Sequence, residues 1–282
     1  MTLRLVAAAS LLFVVFSWDA HTAEQPTASS PEPSSASSGP PAGSVYLIGN
    51  SLTADTVPDE LEGREEGLIA YHIDCGKPLT YILANPAEPC KKSSSLWPAT
   101  LEERSFETLV MQTHYGTSFE DDIAAMSHWM RMQPQADVVV HTGWARQVQL
   151  ADERAHTQRP DRMVHAEVWF DAVLQRLAAE FPGRRITRTR CTDALWMIAD
   201  DVAAGRAPAE HLPNLEVMYR DAIHLDLAHG RFLMHNLMRA AVGQPLVQEW
   251  SKPIDPTLQA YLLEVVRRVT AATTSQPAAD AE

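Results

Sequence analysis

The stretch Val45-Tyr46-Leu47-Ile48-Gly49-Asn50-Ser51-Leu52-Thr53 decides the fold class. Four consecutive apolar residues make a strand buried on both faces, and Gly49-Asn50 stops it at a turn. Working outward, the same pattern recurs. Residues 70–73 read as a second strand ending at Cys75-Gly76, and Leu109-Val110-Met111 as a third, preceded by a polar loop holding Trp97-Pro98. Residues 137–141 (DVVVH) make a fourth strand and 186–190 a short fifth. Ser118 caps an intervening helix, FEDDIAAMSHWMRM, which has acidic residues in its first turn and Ile123, Met126 and Met130 on one face. Further helices are expected over 162–181, 194–204, 228–242 and 256–271. Strands separated by helical stretches of this length imply βαβ units and a covered, mostly parallel five-stranded sheet, an α/β doubly wound domain over 45–272.

Composition narrows the function classes. The chain has 282 residues, 45% hydrophobic and 21% charged, too apolar for a disordered chain and too mixed for a multi-span membrane protein. A net charge of −13 leaves no basic footprint, so nucleic acid and anionic lipid are not expected partners. Three cysteines are too few for a disulfide scaffold or a paired-cysteine zinc site. The histidines show neither H-x-H nor H-E-x-x-H spacing, so no metal site is expected.

The N-terminus speaks to compartment. Arg4 precedes LVAAASLLFVVF, a charged n-region before an apolar run shorter than the roughly 20 residues that span a bilayer. Residues 1–23 read as a secretory signal peptide, with an uncleaved N-terminal anchor as the alternative. Either way the domain is exported, to a periplasmic or extracellular space. Residues 24–44 are a Pro/Ser-rich linker with no large apolar side chain to bury, and 273–282 read as a disordered tail.

Chemistry gathers at two ends of the domain. In open α/β sheets ligands bind beyond the carboxyl ends of the strands, which puts Ser51 at the mouth of that crevice. A serine at a strand-to-helix turn exposes its Oγ and offers its own N–H to an oxyanion. It needs a base, and Asp221-Ala222-Ile223-His224 offers one, with the carboxylate three residues before the imidazole it would orient. Read blandly, Ser51 is a helix N-cap and Asp221 and His224 a surface pair.

Together these blocks resemble the SGNH or GDSL-type hydrolases. The first block of that family, G-D-S-L, stands here as Gly49-Asn50-Ser51-Leu52, and the last, D-x-x-H, as Asp221 to His224. The resemblance implies a flavodoxin-like three-layer α/β/α sandwich and a catalytic set of Ser51, Asp221 and His224. It also implies an oxyanion hole from the Ser51 and Gly76 N–H groups. The family's G-x-N-D block is absent; Gln112, at the end of the third strand, is the expected third oxyanion donor. The exit of the fourth strand, from His141 through Trp144 to Arg146, is read as substrate-pocket wall, together with His114. Trp129, Trp169 and Trp196 are read as core, and Asp121-Asp122 as a solvated face.

Cys75 and Cys90 are near enough in sequence to pair in an oxidising compartment, leaving Cys191 as a buried thiol; sequence supplies no Cα–Cα distance, so free thiols remain the alternative. The expected activity is cofactor-free hydrolysis of an acetyl or other short acyl ester, of a neutral glycan or a small molecule. It should fall below the ordinary histidine pKa of about 6.5. The alternatives are a non-catalytic glycan-binding protein on a degenerate hydrolase fold and an O-acyltransferase using the same triad.

Overall fold

Apolar runs put the strands at the centre. The computed structural model describes residues 40–274; the expected signal peptide, residues 24–39 of the linker and 275–282 of the tail lie outside the described residues. In chain order these residues form β1 (Val45–Gly49), α1 (Ser51–Asp55), β2 (Ile69–Ile73), α2 (Leu79–Ala84), α3 (Trp97–Glu103), β3 (Thr108–Gln112) and α4 (Phe119–Met132). There follow β4 (Asp137–His141), α5 (Leu150–Arg154), α6 (Glu167–Glu180), β5 (Ile186–Arg188), α7 (Cys191–Ala203), α8 (His229–Ala241) and α9 (Pro256–Thr274).

The sheet order is β2-β1-β3-β4-β5, and every pairing is parallel. This is the flavodoxin-like doubly wound order, with its topological switch between β1 and β3. Successive side chains alternate between faces. Tyr46, Ile48, Leu109, Met111, Val138 and Val140 pack under α2, α3, α4 and α6. Leu47, Tyr71, Val110 and Val139 face the opposite layer, where α8 contributes Met238 and α1 lies alongside with Ala54. The result is a three-layer α/β/α sandwich.

Several expectations change on packing grounds. Trp97-Pro98 is not loop but the first turn of α3, where Pro tolerates the unbonded N–H; Trp97 is buried and its Nε1 donates to the Ile82 carbonyl at 3.1 Å. The helix expected from residue 162 starts at Glu167, because 162–166 run past Thr117 and Ser118 as an irregular segment. The fifth strand stops at Arg188, and Cys191 already belongs to α7. The end of the expected linker is anchored: Ser44 is fully buried and its N–H donates to the Pro41 carbonyl. Trp129, Trp169 and Trp196 are buried.

Asp122 is the clearest correction. It is fully buried rather than solvated, because the i, i+3, i+4 stripe of α4 turns it inward, and its Oδ2 accepts from Thr117 Oγ1 at 2.9 Å. Desolvation raises its pKa to about 8. A carboxyl that is neutral when folded and ionised when unfolded stabilises most below about pH 4, and loses that contribution as pH rises toward 8. Asp122→Asn should therefore raise Tm more at pH 7.5 than at pH 4.5, measured by calorimetry; an equal shift at both pH values would mean the carboxyl is ionised in the fold.

Candidate active site

β1 ends at Gly49 because nothing larger fits. A Cβ there would lie 2.1 Å from Thr53 Oγ1 and 2.8 Å from Gln112 Cβ. Asn50 caps α1, its Oδ1 accepting from the Leu52 N–H at 3.0 Å. Ser51 is thus the first helical residue, at the carboxyl end of the sheet.

The partner loop runs from Tyr219 to Leu225, closed by an antiparallel bridge between those two residues. Inside it, Asp221 Oδ1 accepts from the Ile223 and His224 N–H groups at 2.9 and 2.8 Å. His224 Nδ1 lies 2.8 Å from Asp221 Oδ2, and His224 Nε2 lies 3.0 Å from Ser51 Oγ. Partial desolvation alone would raise the Asp221 pKa, but the two backbone N–H donors and the His224 ring outweigh it and hold it at about 2. The carboxylate therefore remains charged across the neutral range, facing His224 Nδ1 while His224 Nε2 faces the Ser51 hydroxyl.

Buried charge ties the two pieces together. Asp55, at the end of α1, is 1% exposed and accepts from Arg220 Nη1 and Nη2 at 3.1 Å each. Arg231 adds Nε and Nη2 donors at 2.9 and 2.7 Å. Arg220 also bonds the Leu225 carbonyl, and its N–H donates to the His224 carbonyl at 2.9 Å. From the other side, Trp144 Nε1 donates to the Ile223 carbonyl at 2.6 Å and Tyr219 Oη to the Ala145 carbonyl at 3.1 Å.

Two sequence assignments fail here. Trp144 is fully buried and does not line the cavity that holds Ser51 and His224; the left-handed turn at Gly143 (φ 59°) sends it inward, where it props up the loop carrying His224. His141 is also buried, its imidazole pushed down to about 3 by desolvation, so of that segment only Arg146 reaches the pocket. Gln112 is not a free oxyanion donor. Its Nε2 donates to Asn50 Oδ1 at 2.8 Å and to the Thr113 carbonyl at 3.3 Å. Its Oε1 accepts from the Asn50 N–H, Thr53 N–H and Thr53 Oγ1 at 3.1, 2.9 and 2.6 Å. Gln112 thus braces the Asn50–Thr53 turn across the β1–β3 switch and keeps no spare amide N–H.

The remaining donors are backbone. Among the described residues, neither the Ser51 nor the Gly76 N–H has an acceptor. Gly76 follows β2 in a left-handed turn (φ 69°) that disfavours a side chain, next to a Cys75–Cys90 disulfide with Cα atoms 5.6 Å apart. Closing a loop of that length contributes about 3 kcal/mol and stiffens the segment that carries Gly76. Cys191 is a buried free thiol.

Ser51, Gly76 and His224 share a cavity of about 360 Å³ with Leu52, His114, Tyr115, Arg146, His165 and Ile223. His114 was expected there; burial pushes its imidazole below the ordinary range. Tyr115, His165 and the acid behind it, Glu153, were not anticipated. Glu153 Oε2 accepts from the His165 N–H at 2.6 Å and lies 2.8 Å from its Nδ1, a pair twelve residues apart in irregular chain with no spacing signature. A second cavity, of about 350 Å³ beside α7 and α9, is lined by Arg154, Asp200, Asp201 and Arg268, which pair with one another, and holds no nucleophile. No group of acidic, histidine or cysteine side chains among the described residues could hold a metal ion.

No protein-family model matches the sequence, and no curated protein matches it. Among solved structures, a DUF4886 family protein from Bacteroides uniformis is 17% identical, with 83% of this chain and 95% of that chain covered and a TM-score of 0.48. A protein described as a GDSL-like lipase, from Parabacteroides merdae, is also 17% identical, covering 73% of this chain and 98% of its own, with a TM-score of 0.42. An active-site mutant of a family two carbohydrate esterase from Clostridium thermocellum is 10% identical, covering 72% and 62%, with a TM-score of 0.40. Likeness at this level assigns no activity to the chain.

Removing the Asp55 carboxylate should leave two guanidinium groups uncompensated and release the His224 loop from α1. Asp55→Ala is expected to cost about 3 kcal/mol in urea unfolding. A loss below about 0.5 kcal/mol would mean that the pairs carry no net stability.

Proposed function

We propose that the chain is an exported serine ester hydrolase that removes acetyl or other short acyl groups from a carbohydrate or small ester. One observation carries the reading: the Ser51 Oγ–His224 Nε2 contact of 3.0 Å continues into the His224 Nδ1–Asp221 contact of 2.8 Å, beside two N–H groups without acceptors. A surface ion pair explains the second contact but not the first, and a plain N-cap explains neither. Here the N-cap is Asn50, which leaves Ser51 Oγ uncommitted to the helix. The Cys75–Cys90 disulfide supports export, since such bonds persist in oxidising compartments.

The chemistry follows from these atoms. Ser51 Oγ attacks the ester carbonyl as its proton passes to His224 Nε2. The tetrahedral oxyanion accepts from the Ser51 and Gly76 N–H groups, which need no reorganisation because no protein acceptor holds them. The C–O bond to the alcohol breaks as the leaving oxygen takes the proton from Nε2. Water then gives its proton to His224 and attacks the acyl-serine, releasing the carboxylic acid and restoring Ser51. Asp221 stays ionised throughout and stabilises the imidazolium between steps. Because its carboxyl is held at about 2, Asp221 is not the group that limits activity as pH falls toward 5.

The test is hydrolysis of p-nitrophenyl acetate and butyrate by the purified chain. Ser51→Ala and His224→Ala should each lower kcat/KM at least 10³-fold, and a fluorophosphonate probe should label the parent at Ser51. Less than a tenfold loss in Ser51→Ala would overturn the assignment. Absence of both turnover and labelling in the parent would favour a glycan-binding module.

A further inference from the structure

The pocket wall holds a charge that the esterase chemistry does not use. Arg146 reaches the cavity containing Ser51 and His224. Elsewhere the described arginines are engaged: Arg154 pairs with Asp200, Arg188 with Asp193, Arg220 and Arg231 with Asp55, Arg159 lies over the Phe119 ring, and Arg162 bonds the Gly116 carbonyl. Arg146 alone among the described arginines has no side-chain hydrogen bond, ion pair or ring contact. No carboxylate lines the cavity. The nearest acids in the site, Asp221 and Glu153, are committed to His224 and His165.

The loop that carries this guanidinium is held. The Arg146 carbonyl accepts from the Gln149 N–H at 2.9 Å, and the Gln147 N–H donates to the Ala222 carbonyl at 3.4 Å. Trp144, two residues earlier, bonds the Ile223 carbonyl. The backbone of Arg146 is therefore pinned to the loop of Asp221 and His224, and its exposed side chain extends from that fixed point along the cavity wall. His165 adds to the same wall. Its Nδ1 faces Glu153, and its Nε2 has no partner among the described residues, yet is not sealed in the interior as those of His72, His141 and His235 are. Tyr115, 43% exposed at the rim, supplies a flat apolar face.

We propose that the pocket takes an ester carrying a carboxylate, and that Arg146 is the residue that selects it. This rests on the esterase reading, and it replaces the neutral glycan expected from the acidic composition. The net charge of −13 repels anions only over distance, and at physiological ionic strength fields are screened beyond about 8 Å. At contact the local, uncompensated guanidinium dominates. Its planar fork matches a carboxylate in bidentate fashion, with hydrogen bonds about twice as strong as neutral ones. A neutral substrate would leave that fork facing water.

Two substrate pairs test this on the full chain: acetylated methyl glucuronoside against acetylated methyl glucoside, and mono-p-nitrophenyl succinate against p-nitrophenyl butyrate. The acidic member of one pair should have at least tenfold higher kcat/KM, mainly through KM, with a preference that shrinks as salt is added. Which pair responds assigns the carboxylate to the alcohol or the acyl side. Arg146→Gln should lower kcat/KM for that acidic member at least tenfold more than for its neutral counterpart. Equal turnover within both pairs, or an equal loss for both members in Arg146→Gln, overturns the inference while leaving the esterase reading standing. Failure of the esterase reading shows separately, as turnover that survives Ser51→Ala. Binding of free glucuronate and glucose to the Ser51→Ala chain, followed by NMR titration, then decides for Arg146. A glucuronate preference lost in the Ser51→Ala, Arg146→Gln double variant supports the inference, and no preference sinks it.

Discussion

The buried carboxylate of Asp55 holds the two halves of the site in register. Ser51 and His224 lie far apart in sequence, and the 3.0 Å between their side chains has no local cause. Asp55 ends the short helix that begins with Ser51, and it accepts from two guanidinium groups that flank the Asp221–His224 loop. Taking a carboxylate out of water costs several kcal/mol, and this one is offset by hydrogen bonds from two directions. The arginines keep part of their surface in solvent, which limits their own desolvation. The cluster therefore fixes position at modest cost, and the Trp144 and Tyr219 bonds brace the same loop from the other side.

Around Ser51 the polar groups divide into two kinds. Asn50, Thr53 and Gln112 satisfy one another across the β1–β3 switch, so the turn behaves as a closed unit with its lone pairs and amide hydrogens spoken for. The Ser51 and Gly76 N–H groups beside it have no acceptor among the described residues. A buried network that is complete is rigid, whereas a donor left open beside it costs stability. Arg146 repeats the pattern with charge: every other described arginine is engaged, and the open one sits in the pocket.

Much of this was legible in the residues. Continuous apolar runs identified the strands, because strands buried on both faces leave no alternation; the end of the first strand pointed to Ser51, the three-residue spacing to Asp221 and His224, and the family resemblance to Gly76. The misreadings share a cause. Gln112 and Trp144 were judged by what their functional groups can do, whereas in the fold those groups are already consumed by Asn50 and Ile223. Asp122 was judged by its charge, whereas the helical stripe turned it into the core. Glu153 and His165 meet across irregular chain, where no period predicts a contact.

The sequence by itself determined the layered α/β architecture and pointed to the turn at Ser51 and to the Asp221–His224 pair. Those depend on hydrophobic periodicity and on spacings of a few residues, which act locally. The tertiary structure decided which polar groups remain available. That depends on partners distant in sequence: Asp55 with Arg220 and Arg231, Gln112 with Asn50, Glu153 with His165, and Arg146 with none among the described residues. Availability is a property of the whole hydrogen-bond network, so a residue's type can announce what it is able to donate, but only the folded chain decides whether it is free to do so.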